Sequence, residues 1–151
     1  MARTLNLGAG NKIMPGVVNH DRIAHRPEID VAWDLDVLPW PWPDNSFDLI
    51  IASSVLEHLH IDLLASINEC WRILDKGGRL WVKVPHWNNE SAYNDPTHQR
   101  VCGLAVLDAF DPTTRGGQAY SFYTPRKWRI IRKLRAVKNG TSIVATMEVI
   151  K

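Results

Sequence analysis

The chain has few cysteines and no long apolar run. The first shortage argues against a disulfide-rich protein and the second against a membrane-spanning one. It contains two cysteines, Cys70 and Cys102, in 151 residues, so it has no disulfide framework and we expect a cytoplasmic location. No apolar run reaches the ~18 residues that a membrane span needs, so we expect no membrane partner. The length suits one compact unit, and we predict a single domain over residues 1–151.

The chain also lacks the third glycine of a dinucleotide-binding turn. A first apolar run ends in Gly8-Ala9-Gly10, where glycine allows a sharp turn and close approach to a ligand. Ile13 stands where the third glycine would be, and Pro15 prevents a helix from starting there. Asp21 ends the next apolar run and is placed to bind a ribose. The pattern favours an adenosine ligand without a pyrophosphate; a surface turn followed by a strand-end carboxylate is the alternative.

Apolar periodicity indicates further strands and one long helix. Residues 29–32, 47–52 and 80–84 have the composition of short strands, and the second is apolar enough to be buried and parallel. Ser53 and Ser54 are suited to cap a helix that opens at Val55. Apolar residues then recur at three- and four-residue spacing to Leu74, and Gly77 is expected to stop the helix.

The C-terminal part is strongly basic. Asn139-Gly140 predicts a tight hairpin between two β-like runs, and residues 126–138 contain seven basic residues and no acid. A charged, half-buried edge strand explains this pattern. A surface that binds nucleic acid is the alternative.

Five segments, taken in order, resemble a known family. They are LNLGAGNK, VVNHD, the D-L of WDLD, LPWPWPDNSFDLIIASSVLEHL and LDKGGRLWVKVPHW. Together they resemble a class I S-adenosylmethionine-dependent methyltransferase of the small methyltransferase-11-like type, over residues 4–87. The resemblance implies an α/β, Rossmann-like sheet of order 3-2-1-4-5-7-6 with strand 7 antiparallel. The short connections after strands 1 and 2 imply reduced helices there, and residues 128–151 are expected to form the C-terminal hairpin.

The resemblance also implies a cofactor, S-adenosyl-L-methionine, and the residues that contact it. The glycine loop would wrap the methionine part, Asp21 would hold the ribose hydroxyls, and Asp34 with the Leu35 amide would meet the adenine. An acid is common two residues before the first glycine, but this chain has Asn6 there, which supplies no charge. The expected cofactor-binding residues are Asn6, Gly8, Ala9, Gly10, Asn11, Asp21, Arg22, Asp34, Leu35, Ser53, Ser54 and His58.

Residues 86–124 are the expected acceptor-site insertion, since aromatic and polar residues suit a binding pocket. A small satellite core is the alternative. A helix is predicted to start at Asp95, with a loop over 111–118. His86, Asp95 and His98 have the residue types of a zinc site, but their spacing matches no strong metal motif, so no metal site is predicted. His58 and His86 are the candidate catalytic bases, unless proximity alone suffices.

The expected function is methyl transfer to a small or carbohydrate-like acceptor. No N-P-P-Y or D-P-P-Y motif follows the fourth strand, which argues against amino groups of bases and leaves ribose or other oxygen acceptors open. An RNA methyltransferase that uses the basic C-terminal hairpin is one alternative. A cofactor-binding or partner-binding module without catalysis is another. The oligomeric state is left open between a monomer and a homodimer.

Overall fold

The computed structural model describes residues 3–136 and 141–151. Seven strands form one sheet of order β3-β2-β1-β4-β5-β7-β6. The first five are parallel, and β7 is antiparallel to both of its neighbours, so the predicted order and direction are confirmed. The strands are β1 (Thr4–Leu7), β2 (Val18–Asp21), β3 (Val31–Ala32), β4 (Phe47–Ser53), β5 (Leu74–Pro85), β6 (Lys127–Ala136) and β7 (Ser142–Ile150).

The connections after β1 and β2 contain no helix in the described chain, which confirms the reduced helices expected there. Strand side chains alternate between the two faces of a sheet. On one face of β4 and β5, Ile50 and Leu80 are fully buried. On the other face, Ile51 and Trp81 stay half-buried and line an open cavity of about 570 Å³. The missing helices therefore leave one face of the sheet partly uncovered.

Helix α1 (Leu63–Ile73) is shorter than the helix that the sequence predicted. It begins after Asp62, whose carboxylate accepts a hydrogen bond of 2.6 Å from the Ala65 amide. The predicted start after Ser53 and Ser54 is wrong, because Ser54 adopts a left-handed φ of 57° and a single 3₁₀ turn follows at Leu56–His58. The predicted end at Gly77 is also wrong, because Leu74 already pairs with Phe47 as the first residue of β5.

An arginine of α1 holds the proline-rich loop of residues 38–44 against the helix. Arg72 donates hydrogen bonds to the carbonyl oxygens of Trp40 and Trp42, at 3.0 and 2.8 Å. It also pairs with Glu69 at 2.7 Å, and both side chains are largely buried. Burial alone would raise the pKa of Glu69, but the Arg72 hydrogen bond and the Trp40 amide lower it. The loop is thus fixed by charge-assisted hydrogen bonds as well as by its buried tryptophans.

Residues 86–124 fold into turns and short helices beyond β5. The helix predicted from Asp95 is wrong: residues 95–97 form a turn, and a 3₁₀ helix appears only at Val106–Phe110. The loop predicted over 111–118 is also wrong, because helix α2 spans Arg115–Ala119. Glycine is a weak helix former, but α2 needs it at residue 117. A Cβ atom there would lie 1.8 Å from the carbonyl oxygen of Asp111.

Several basic side chains of the C-terminal strands are engaged within the molecule. Lys127 donates to the carbonyl oxygens of Ser121 and Thr124, Arg129 lies 3.6 Å from Glu148, and Lys133 pairs with Asp108. The ammonium of Lys151 lies 4.5 Å from the ring centroid of Trp71. The predicted Asn139-Gly140 turn lies outside the described residues, but the antiparallel pairing of β6 and β7 on either side of it is observed.

Candidate functional site

The glycine loop follows β1 in a conformation that needs glycine. Gly8 and Gly10 have left-handed φ angles of 64° and 52°. A Cβ atom on Gly8 would lie 2.5 Å from the Cγ2 atom of Val55, so a larger residue would both strain the backbone and clash. The loop can therefore lie close to the segment that follows β4.

Asp21 at the end of β2 is hydrogen-bonded to this loop. Its Oδ2 atom accepts from the Gly10 amide at 2.6 Å, and its Oδ1 atom accepts from the Arg22 amide at 2.7 Å. Each carboxylate oxygen has two lone pairs, so both retain capacity to accept from a diol. The backbone hydrogen bonds thus fix the orientation of a carboxylate that remains able to bind a ligand.

A cavity of about 530 Å³ opens at the carboxyl ends of β1, β2 and β4, where open α/β sheets bind their ligands. Seven of the predicted cofactor residues line it: Gly8, Asp21, Arg22, Asp34, Leu35, Ser54 and His58. Sequence reasoning missed nine others, which are His20, Trp33, Asp36, Val55, Leu59, His60, Pro96, Thr97 and Gln99. Four of these sixteen lining residues lie beyond position 59, far from any glycine motif.

The remaining predicted cofactor residues lie outside this lining. Asn6, Ala9 and Ser53 line the cavity on the open face of the sheet. The Asn6 amide donates to the Lys12 carbonyl oxygen at 2.8 Å and to Asn19 at 2.9 Å, so it braces the glycine loop. Gly10 donates to Asp21, and the Asn11 side chain accepts from Arg26 at 3.0 Å.

The two acids of the W-D-L-D segment, Asp34 and Asp36, follow β3 and line the 530 Å³ cavity. Arg22 lies 3.2 Å from Asp34, and both side chains are exposed enough for solvent to weaken this pair. Asp36 accepts from the backbone amides of His60 and Ile61 at 2.6 and 3.0 Å. Burial would raise the pKa of Asp36, but the Ile61 amide and His60 lower it. Asp36 thereby joins the end of β3 to the loop before α1. The repeated acid in W-D-L-D is the one sequence signal that could have suggested Asp36 as a site residue.

Another cavity, of about 450 Å³, adjoins the 530 Å³ cavity beside Asp21, and Ser54 and His58 line both. Its polar lining comes from β5 and from residues 86–124, and includes Lys83, Asn89, Ser91 and Asp95. His58 therefore faces both cavities. His86 is 5% exposed and lines neither cavity; its Nδ1 atom accepts from the Asn88 amide at 3.3 Å.

Comparison with known proteins agrees with this geometry. The sequence model of a methyltransferase domain family matches residues 10–82. The chain is 38% identical over 63 residues to an uncharacterized protein of Methanocaldococcus jannaschii, covering 40% of this chain and 27% of that protein. It is 32% identical over 88 residues to a probable S-adenosylmethionine-dependent methyltransferase of Mycolicibacterium smegmatis, covering 56% of this chain and 34% of that one. The chain thus spans about a third or less of the length of these curated relatives.

The fold is also similar to those of solved methyltransferase structures. An S-adenosylmethionine-dependent methyltransferase of Thermotoga maritima, described as a possible histamine N-methyltransferase, superposes with a TM-score of 0.66 at 15% identity. The match covers 98% of this chain and 82% of that one. The family match over residues 10–82 and the sheet order together confirm the resemblance to the class I S-adenosylmethionine-dependent methyltransferases. Among the described residues, no helix is long and apolar enough to cross a membrane.

Proposed function

We propose that this chain binds S-adenosyl-L-methionine in the cavity beside Asp21 and transfers its methyl group to an acceptor in the adjoining cavity. The observation that carries the proposal is the hydrogen bond between Asp21 and the Gly10 amide, at the carboxyl ends of β1 and β2. It presents an oriented carboxylate, suited to a ribose diol, next to a glycine loop suited to close approach. Asp34 and Leu35 lie further along the same cavity, where the adenine would lie.

The acceptor would be small or carbohydrate-like. The second cavity has hydroxyl, amide and charged side chains suited to hydrogen-bonding an oxygen-rich molecule, and it meets the cofactor cavity at Ser54 and His58. Residues 86–124 supply one wall of it, which supports their proposed role as an acceptor-site insertion. An acceptor held there would approach a methyl group presented from the first cavity, and such alignment is the largest contribution that this transfer needs.

His58 is the better placed of the two candidate bases, because it faces both cavities. Burial and the neighbouring His98 lower the pKa of His58, so it is neutral and able to accept a proton at physiological pH. His86 lines neither cavity, and a role for it in catalysis remains a prediction.

Calorimetry with S-adenosyl-L-methionine tests the proposal. Replacing Asp21 by Ala should weaken binding by about 1–3 kcal/mol, the cost of leaving buried hydroxyl groups without an acceptor. Glu28→Gln is the matched control, because it removes one negative charge from an exposed residue outside the cavity lining. Tighter binding of NAD than of S-adenosyl-L-methionine would overturn the proposal, and unchanged affinity in Asp21→Ala would remove this residue from the site.

Turnover distinguishes catalysis from a binding module. Tight cofactor binding with no methyl transfer to hydroxylated small molecules or to RNA would favour the non-catalytic alternative. Light scattering of the same preparation decides between a monomer and the homodimer that the sequence left open.

A further inference from the structure

Three ligand-type side chains converge beside the junction of the two cavities. Glu57 and His58 belong to the 3₁₀ turn after β4, and His98 comes from the segment beyond β5. One ligand atom from each of the three residues lies within 4.8 Å of the others. This group differs from the His86, Asp95 and His98 set that the sequence suggested, because Glu57 and His58 are brought to His98 only by folding.

The hydrogen bonds of His98 define which of its ring nitrogens has a free lone pair. Its Nδ1 atom lies 3.0 Å from the carbonyl oxygen of Ala92. A carbonyl oxygen only accepts, so Nδ1 carries the proton and donates it. In the neutral ring, Nε2 is therefore the unprotonated nitrogen, available as a metal ligand.

The same argument applies to His58 through Thr97. The Thr97 hydroxyl donates its single hydrogen to Asp95 Oδ1 at 2.7 Å. The His58 Nδ1 atom, 2.8 Å from that hydroxyl oxygen, must then be the donor to it. His58 thus also exposes an unprotonated Nε2. Hydrogen bonds from Nδ1 to a carbonyl or hydroxyl oxygen are the outer-shell arrangement that orients histidines bound to metals.

Glu57 adds a buried carboxylate that lacks a partner. The residue is 1% exposed, and its Oε2 atom accepts no hydrogen bond from the residues that the structure describes. A buried carboxylate oxygen without a donor is costly, and either protonation or a neighbouring positive charge relieves the cost. A cation at this position would supply the missing partner.

We propose that Glu57, His58 and His98 form a binding site for a divalent transition-metal ion, with zinc as the best-matched ion. Two imidazoles and one carboxylate are a ligand set of catalytic zinc sites, which keep a further position open. Zinc bonds of about 2.1 Å in a tetrahedron separate ligand atoms by roughly 3.4 Å. The observed spread is up to 4.8 Å, so a bound ion would have to draw the three side chains closer together.

The open position would face the acceptor cavity, which all three residues line. A bound ion there would coordinate a hydroxyl or carboxylate oxygen of the acceptor, a role that rests on the proposed function. His58 would then act as a ligand of the metal rather than as a base. Binding of the ion itself does not depend on methyl transfer.

The test uses the purified protein, freed of metal with a chelator and titrated with Zn²⁺ by calorimetry and with Co²⁺ by visible absorption. The wild type should bind one ion, and Co²⁺ should give the intense visible bands of a four-coordinate site. His58→Ala and His98→Ala should each lower the affinity about 100-fold. Thr97→Val, which removes only the outer hydrogen bond to His58, should lower it about tenfold. His25→Ala is the control, since His25 is an exposed imidazole outside both cavities, and it should leave metal affinity unchanged.

Circular dichroism of the metal-free variants shows whether each variant is folded, so that a loss of affinity can be assigned to the lost ligand. Equal Zn²⁺ affinity in the wild type and in a His58→Ala/His98→Ala double variant would overturn the site. Calorimetry with S-adenosyl-L-methionine is run on the same samples. Cofactor binding without zinc binding rejects the metal site alone, whereas zinc binding without cofactor binding rejects the proposed function and leaves the metal site.

Discussion

The Nδ1 atom of His20 accepts a hydrogen bond of 3.3 Å from the amide of Gly8, so a buried imidazole holds the first residue of the glycine loop. The other ring nitrogen, Nε2, lies 3.0 Å from the carbonyl oxygen of Trp33, to which it must donate. The neutral ring thus connects the end of β1 to the end of β3, beside the cavity of about 530 Å³ that His20 and Trp33 line. Protonation of Nδ1 would replace the acceptor of the Gly8 amide by a second donor.

This arrangement predicts a pH dependence of stability. Burial lowers the pKa of His20 from its usual value of about 6.5, so the unfolded chain binds the proton more readily than the folded one. The stabilisation from neutral His20 is therefore present above pH ~6.5 and is lost as the pH falls through the lower, folded-state value. Asn at this position retains an acceptor but does not titrate. Urea unfolding should show the advantage of the wild type over His20→Asn shrinking between pH 7.5 and 5.5; a constant or growing advantage would contradict the assignment.

Gly8→Ala should destabilise the protein more than Gly16→Ala. Both glycines have left-handed φ angles, 64° and 75°, so both substitutions cost about 1–2 kcal/mol of backbone strain. Only the Cβ atom at residue 8 meets Val55, whereas nothing lies within 4 Å of one at residue 16. The clash should add about 1–3 kcal/mol, measured as the difference in free energy of unfolding between the two variants. Val55→Ala in the Gly8→Ala background should recover the part of the clash due to the Val55 Cγ2 atom, at 2.5 Å, but not the part due to its Cβ atom, at 2.8 Å; no recovery would show that the Cγ2 contact is unimportant.

Replacing Arg72 by Met should cost about 3–5 kcal/mol in free energy of unfolding, because the buried carboxylate of Glu69 loses its positively charged partner and two carbonyl oxygens lose their donor. Arg79→Met is the control. Arg79 also pairs with a glutamate, Glu148, but its side chain is 56% exposed, and such pairs contribute about 0–1 kcal/mol. Similar losses in chemical denaturation of the two variants would refute the assigned role of Arg72 in holding the proline-rich loop.

Changing Arg129, Arg132 and Arg135 together to Gln should leave cofactor affinity and turnover nearly unchanged, as expected for an edge strand whose charges only protect it. Arg129 already lies near Glu148, and the neighbouring Lys127 and Lys133 are engaged within the molecule. If the strand instead binds RNA, the variant should raise the KM for an RNA acceptor and flatten its salt dependence while cofactor binding stays intact. A gel-shift series at increasing salt, with wild type and variant side by side, separates these outcomes.

The strands of the sheet were predicted from local sequence patterns. Alternation and short apolar runs are properties of neighbouring residues, so they identified β4 and the core of β5 directly. Asp21 was identified because it ends an apolar run, whereas Asp34 was implied by the resemblance. The order of the strands came from the resemblance, and the structure has that order.

Local patterns failed where long-range contacts overruled them. The apolar stripe from Ile61 to Leu74 predicted one long helix, yet Leu74 gains more by pairing with Phe47 in the sheet. Ser54 is a good capping residue, but its left-handed backbone turns the chain back beneath the glycine loop. Residues 95–105 belong to a segment with helical spacing but form no helix, because their backbone is held by partners such as Glu57, whose carbonyl oxygen accepts from the Gln99 amide at 2.8 Å.

The sequence by itself determined the family resemblance, the strand-forming segments and the position of Asp21, because these depend on residue order along single segments. Only the tertiary structure decided how separate segments converge. It brought Asp36 to His60, and Glu57 and His58 to His98, over separations of more than 20 residues. Such pairs leave no periodic signal in the sequence. They form because the sheet brings the ends of its strands together, and the loops that follow must then satisfy each other's buried polar groups.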